Sequence, residues 1–241
     1  MGSLLIIIPA WNEEEALPQV LAEIKATAGL DADIIVVDDG SNDSTSAVAR
    51  ACGVEVLTLP LNLGVGGAMR AGYLYAKRNG YEAAVQVDAD GQHRPSDIAK
   101  LVQCMEETGS DIVIGARFAG VGEYKVRGPR AWAMRVLSRR LSRQCRASLT
   151  DTTSGFKLTN RRAIDLFAAD LPAEYLGDTI EALVIAAKEG LRINQVGVQM
   201  RERQGGSPSH SPLQAAMFLG RALFAIIMAG TRRSAVRGSD V

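Results

Sequence analysis

Ile34-Ile35-Val36-Val37-Asp38-Asp39-Gly40-Ser41-Asn42-Asp43 is a short apolar run that stops on two acids, turns at a glycine and offers Asn42 or Asp43 as a helix cap. An apolar run of this length, without polar alternation, reads as a strand buried on both faces. The same grammar recurs on either side of it. Leu4 to Ile8 is an apolar run ended by Pro9, and Ala16, Leu17, Val20, Leu21 and Ile24 follow at helical three- and four-residue steps. Downstream, a helix to about Ala51 leads to a strand from Val54 to Leu59, and a helix is expected from Gly66 to Arg78. Ala84 to Val87 is the next strand and closes on Asp88; a helix from about Pro95 to Glu107 precedes a strand from Asp111 to Ile114.

This alternation predicts an α/β fold: a Rossmann-like, mostly parallel central sheet with helices on both faces. Asp38, Asp39, Asp88 and Asp90 then all fall at the carboxyl ends of strands, the edge where open α/β sheets bind ligands. The second half is less regular. Asp151 to Lys157 reads as a polar loop, Ala182 to Ala187 as helix, and Ile193 to Met200 as strand, while Arg201 to Pro212 is rich in Gly, Ser and Pro. The expected organisation is one domain over residues 1–210, followed by a C-terminal helix and tail over 211–241.

Lys+Arg and Asp+Glu both number 27, so no net field draws the chain to nucleic acid. Cys52, Cys104 and Cys145 show no metal-ligand spacing and no even framework, which suggests a reducing compartment. Ser3 leads directly into the first apolar run without a basic region, so no signal peptide is expected. Leu213 to Gly230 approaches a membrane segment but is interrupted by Arg221, so it is read as a surface-lying or core helix. The stretch from Lys125 to Arg146 carries eight cations and no acid. Arg135, Arg139, Arg143 and Arg146 recur at helical steps, with Arg127 and Arg130 upstream, and such a face suits a lipid phosphate, an anionic bilayer or plain solvent.

Asp88-Ala89-Asp90-Gly91-Gln92 carries the strongest chemical signal. Two carboxylates one residue apart at a strand end can converge on Mg2+ or Mn2+, with Gln92 adding an amide oxygen. An acidic turn with helix-capping residues is the plainer alternative. Asp38-Asp39-Gly40-Ser41 has acceptors for a nucleobase imide or ribose, or serves strand termination and capping. Asn62-Leu63-Gly64-Val65-Gly66-Gly67 precedes a helix containing Arg70, and its glycines would let backbone approach a diphosphate. A dinucleotide fold is disfavoured, because its glycine-rich turn should follow the first strand, where Pro9-Ala10-Trp11-Asn12 stands. His93 and His210 are expected to be structural or surface residues, and Trp11 and Trp132 to pack or, alternatively, to touch substrate.

These stretches together resemble the inverting glycosyltransferase family 2 of GT-A fold, within it the dolichol-phosphate mannose synthase-like polyprenyl-phosphate glycosyltransferases. The resemblance rests on Ile8 to Glu13, Val37 to Ser41, Asn62 to Gly72, Gln86 to His93, Asp151 to Lys157 and Arg203-Gln204-Gly205-Gly206. It implies a nucleotide-sugar donor site using Pro9, Ala10, Asn12, Glu13, Asp38, Asp39, Gly64, Arg70 and Asp88. Arg117, Ser154 and Arg203 would approach donor or acceptor phosphates, and Asp88, Asp90 and Gln92 would hold Mg2+ or Mn2+. Asp178 and Glu181 fall where relatives place an acceptor-activating carboxylate, or are a helix cap. The implied partner is a lipid-phosphate acceptor met by peripheral contact at the cytoplasmic membrane face. Two departures stand out: the membrane spans of many relatives have only Leu213–Gly230 as counterpart, and Ser207-Pro208-Ser209-His210 replaces a Ser-Lys. A hydroxyl acceptor in cell-envelope glycan synthesis, a catalytically silent nucleotide-sugar binder and a nucleotidyltransferase are the competing readings.

Overall fold

A computed structural model of the chain describes residues 2–27, 29–117, 151, 154–171 and 181–201. Among these residues the sheet has seven strands: β1 (Leu4–Ala10), β2 (Asp33–Asp38), β3 (Glu55–Thr58), β4 (Ala83–Gln86), β5 (Ile112–Arg117), β6 (Lys157–Asn160) and β7 (Ile193–Val198). Six α-helices accompany them among the described residues: α1 (Leu17–Ala26), α2 (Thr45–Ala51), α3 (Gly64–Arg78), α4 (Ile98–Thr108), α5 (Arg161–Asp170) and α6 (Ala182–Lys188). The spatial order is β3-β2-β1-β4-β6-β5-β7.

All seven residues of β1 are buried. Leu4, Ile6, Ile8 and Ala10 join one core with α1, Ala49 of α2 and α4, whereas Leu5 and Ile7 join a second core with α3, α5 and α6. The period of two in a strand produces this division, and the two cores are the two faces of the expected doubly covered sheet.

From β1 the chain builds outward to β2 and β3, all parallel, then returns to place β4 on the other side of β1. The strand order therefore reverses between β1 and β4, and the crevice of an open sheet lies at the carboxyl ends of such a pair. Ala10 ends β1, Asp38 ends β2 beside it, and Asp88 follows β4 by two residues.

One strand departs from the expected parallel order. β6 lies antiparallel between β4 and β5, with Val85 opposite Leu158 and Val113 opposite Leu158 on the other side. Lys157, read from sequence as the end of a polar loop, is its first residue and is buried. Because β6 runs backwards, its start lies at the carboxyl edge of β4, and this delivers Ser154 and Gly155 to the acidic turn.

α3 crosses the sheet at close range. A Cβ on Gly72 would stand 2.4 Å from Ile7 Cγ2, so the missing side chain sets the helix-to-strand distance. Gly72→Ala sets a helix-propensity gain of about 1 kcal/mol against an overpacking cost of roughly 1–3 kcal/mol. Ile7 is fully buried and cannot yield into solvent, so the clash prevails. Urea denaturation should show Gly72→Ala to be less stable than the parent protein.

Candidate active site

The exits of β1 and β2 are laced to each other. Asn12 N–H donates to Ser41 Oγ at 2.9 Å, and Asn12 Oδ1 accepts the N–H of Asn42 at 2.9 Å. Glu13 N–H donates to Thr45 Oγ1 at 2.9 Å and Glu14 N–H to Asp43 Oδ2 at 3.2 Å. Ser44 N–H returns to Glu14 Oε2 at 2.8 Å. Asn12 holds a left-handed φ of 54°, which asparagine tolerates better than most side chains. Trp11, which follows β1, is 41% exposed, so of its two expected roles packing is excluded and contact with a substrate stays open.

The acids of the β2 exit have separate tasks. Asp38 is buried, with Oδ1 accepting Ser41 N–H at 2.9 Å and Oδ2 accepting the Ser46 hydroxyl. Asp39 is also buried; its N–H donates to Ala10 O at 2.8 Å and its Oδ1 accepts Leu63 N–H at 2.7 Å. Burial raises the Asp39 carboxyl above its ordinary range, opposed by the hydrogen bonds from Leu63 and Gly64 and assisted by the Asp38 charge. The anion at the start of α3 is thus Asp39 itself. Gly67 makes room for Leu63, whose Cβ would lie 2.4 Å from an added methyl. Arg70, further along α3, donates from Nη2 to Ala169 O at 2.9 Å, a contact with α5.

The third exit is the acidic turn after β4. Gln86 Nε2 donates to Asp88 Oδ1 at 2.9 Å, and the Asp88 side chain is 31% exposed. Asp90 is buried, and its Oδ1 accepts Gln92 N–H at 3.0 Å, folding the turn back on itself. Gly155, two residues ahead of β6, closes over this turn: a Cβ there would stand 2.8 Å from Gln86 Nε2 and 3.0 Å from Asp88 Oδ2. Ser154 is buried beside it, its Oγ accepting Phe156 N–H at 3.3 Å.

His93 proves structural rather than a surface residue. It is buried, its Nδ1 accepts the Asp88 N–H at 3.0 Å, and its ring stacks on Phe156 with centroids 4.8 Å apart. Its Nε2 lies 3.6 Å from Asp88 Oδ2. Gln86 and His93 are the site residues whose positions sequence reasoning did not give. Their signal was adjacency to Asp88 on both sides, which alone does not distinguish a supporting residue from a loop.

Arg117 ends β5 opposite Val198, and Glu181 is exposed immediately before α6. Asp178, Arg203, Trp132, His210, the cationic stretch Lys125–Arg146 and the segment 211–241 lie outside the described residues. Among the described residues no helix is long and apolar enough to cross a membrane, and no three His, Cys, Asp or Glu side chains form a metal cage.

The profile described as Glycosyl transferase family 2 matches residues 5–167, from β1 through α5 and more than half of the chain. The chain belongs to glycosyl transferase family 2. It is 31% identical over 229 residues to the polyprenol monophosphomannose synthase of Mycolicibacterium smegmatis, covering 89% of this chain and 84% of that one. With the undecaprenyl-phosphate mannosyltransferase of Micrococcus luteus it shares 33% identity over 221 residues, covering 86% and 87%. Glucosyl-3-phosphoglycerate synthase from Mycobacterium tuberculosis, solved with Mn2+, uridine diphosphate and phosphoglyceric acid, superposes with a TM-score of 0.68 at 22% identity, covering 97% of this chain and 80% of that one. The sheet is that of a GT-A glycosyltransferase, and the protein is a glycosyltransferase enzyme.

Two outcomes follow for this family 2 enzyme. Burial opposes ionisation of Asp43, but donors on Thr45 and Glu14 outweigh it and hold its carboxyl below the ordinary range. Its stabilisation is present above the unfolded pKa and is lost as pH falls through the lowered folded value. Asp43 precedes the N-cap Ser44 and accepts from Thr45 and Glu14, so Asp43→Ala should cost about 0.5–1.5 kcal/mol at neutral pH, with the gap closing in acid across a urea-denaturation series. Gly155→Ala should displace Asp88 and reduce sugar transfer by roughly ten- to a hundredfold, while the circular-dichroism melting curve stays close to that of the parent.

Proposed function

We propose that this enzyme is an inverting, metal-dependent transferase that moves a sugar from a GDP- or UDP-linked donor to a polyprenyl phosphate. The observation that carries the reading is the Asp88–Asp90 turn at the reversal between β1 and β4, closed by Gly155 from the bend that leads into the antiparallel strand. The names of the mannosyl-transferring relatives supply the acceptor class, and the neighbour solved with Mn2+ and uridine diphosphate supports a nucleotide donor.

The donor set fits a hard divalent cation. Asp88 and Asp90 provide two carboxylates, one of them open to solvent, and the remaining coordination falls to phosphate oxygens and water. When bound there, Mg2+ or Mn2+ would neutralise the negative charge that gathers on the departing diphosphate. Gln86 holds one Asp88 oxygen in place and the Gln92 N–H holds one of Asp90. Asp39, Asn12 and the laced loops beside them offer polar groups to the nucleoside.

An acceptor phosphate oxygen forms the bond to the anomeric carbon as the bond to the nucleoside diphosphate breaks, its electron pair leaving with the diphosphate. A single displacement inverts the carbon. The attacking phosphate is already an anion, so no residue has to remove a proton; a hydroxyl acceptor would require one, with Glu181 or Asp178 as base. A lipid acceptor also requires the enzyme to meet a membrane surface, which accords with a peripheral location at the cytoplasmic face.

The test is a screen of GDP- and UDP-sugars with Mn2+ and polyprenyl phosphate, following released nucleotide and glycolipid together. One donor should yield both products in equal amounts. Asp90→Asn should lower the rate by about a hundredfold, which corresponds to about 2.7 kcal/mol of lost charge stabilisation. Near-normal metal-dependent turnover in that variant would sink the assignment.

A further inference from the structure

Beyond the end of β7 the chain is tied down residue by residue. Gln199 N–H donates to Asp97 Oδ2 at 3.1 Å, and the Gln199 side-chain oxygen accepts from Arg94 Nη1. Met200 forms an antiparallel bridge with His93, and Arg201 N–H donates to Gln92 O at 3.0 Å. Residues 199–201 are thus a strap laid against the loop that leaves the acidic turn. Its far end is pinned to α1: Arg201 Nη2 and Nη1 sit at 2.6 and 2.7 Å from the two oxygens of Glu23.

This fork-to-fork pair has the geometry of a strong, directional ion pair. The hydrogen bond from Arg201 lowers the Glu23 carboxyl below its ordinary range, and the same bond raises Arg201. A bonded path runs from Glu23 through Arg201 to Gln92, and through the Met200–His93 bridge to the Asp88 N–H. Neither member of the pair belongs to the carboxylate turn. Both side chains are about one third exposed, 31% for Arg201 and 33% for Glu23, and pairs so exposed add little to global stability. The effect of the pair is therefore local: it fixes where the strap, and with it the Gln92–His93 loop, stands relative to α1.

We propose that Glu23 is a positioning residue for the metal turn, acting through Arg201 to hold Asp88, Asp90 and Gln92 in register for a divalent cation. The inference rests on the reading of that turn as a metal site. Losing the pair loosens the strap and spreads the turn, so cation affinity falls while the fold persists. Partners outside the ligand shell that are lost in this way typically cost about ten- to a hundredfold in metal affinity. Glu23 reaches Asp88 only through Arg201, Met200 and His93, so its effect belongs at the low end of that range.

The experiment uses the full chain and titrates Mn2+ in the presence of UDP, and separately GDP, reading free Mn2+ by electron paramagnetic resonance. Glu23→Gln is expected to weaken Mn2+ binding by about five- to tenfold, with a melting temperature within a few degrees of the parent. Arg201→Lys, which keeps the charge and loses the fork, should fall between the two. The exchange Glu23→Arg with Arg201→Glu should recover most of the lost affinity, and a merely structural contribution would instead lower the melting temperature of the single variants in step with their affinity. Unchanged Mn2+ affinity in both single variants, or an exchange variant as weak as Glu23→Gln, overturns the proposal. A parent chain that binds no Mn2+ with either nucleotide overturns the metal reading itself, and the positioning role with it.

Discussion

β1 is the member on which the other parts depend. It is hydrogen-bonded to β2 along one side and β4 along the other, and its side chains enter both cores. A strand enclosed on four sides cannot shift without breaking two ladders and two packed layers at once. The chain nevertheless leaves β1 and β4 into different halves of the molecule, so the sheet opens between them at its carboxyl edge. Rigidity below and divergence above create a crevice with fixed walls, which is what a site needs if it is to place two substrates without first folding around them.

Like charges gather in that crevice, and the structure handles each differently. Asp38 is consumed by its own loop, both oxygens bonded to Ser41 and Ser46. Asp39 lies against the start of α3, where backbone N–H groups and the helix dipole favour a negative group. Asp88 and Asp90 are oriented within their own turn, one Asp88 oxygen by Gln86 Nε2 and one Asp90 oxygen by the Gln92 N–H, and the Asp88 side chain stays partly open to solvent. The division separates acids that hold the wall from acids that can face a cation. It follows from hydrogen bonding, not from residue type, because all four are the same amino acid.

The parallel half of the fold was legible because its strands are buried on both faces. Leu4 to Ile8 and Ile34 to Val37 need no partner to declare themselves, and the acids that end them placed the site at the correct edge. Lys157–Asn160 gave no such sign: four residues with one leucine become a strand only because β4 and β5 offer edges on both sides. The helix Arg161–Asp170 is another matter. Asn160 caps it through Ala163 N–H, and Ala163, Ile164, Phe167 and Ala168 are buried at helical spacing, so both its start signal and its apolar face are present in the sequence. His93 could not have been placed, since its role depends on Phe156, which reaches it only through the reversed strand.

That reversed strand makes the site a matter of counting. Phe156 and Leu158 point into the core shared with α1 and α4, and Lys157 between them points to the opposite face. A slip of one position would exchange the two sets, since side chains alternate with a period of two. Lys157 would then carry an ammonium into the place of the Phe156 ring, and Gly155 would no longer stand at Asp88. Pairing register and ligand geometry are thus one choice here, and a single deleted residue between 155 and 158 would disturb both together.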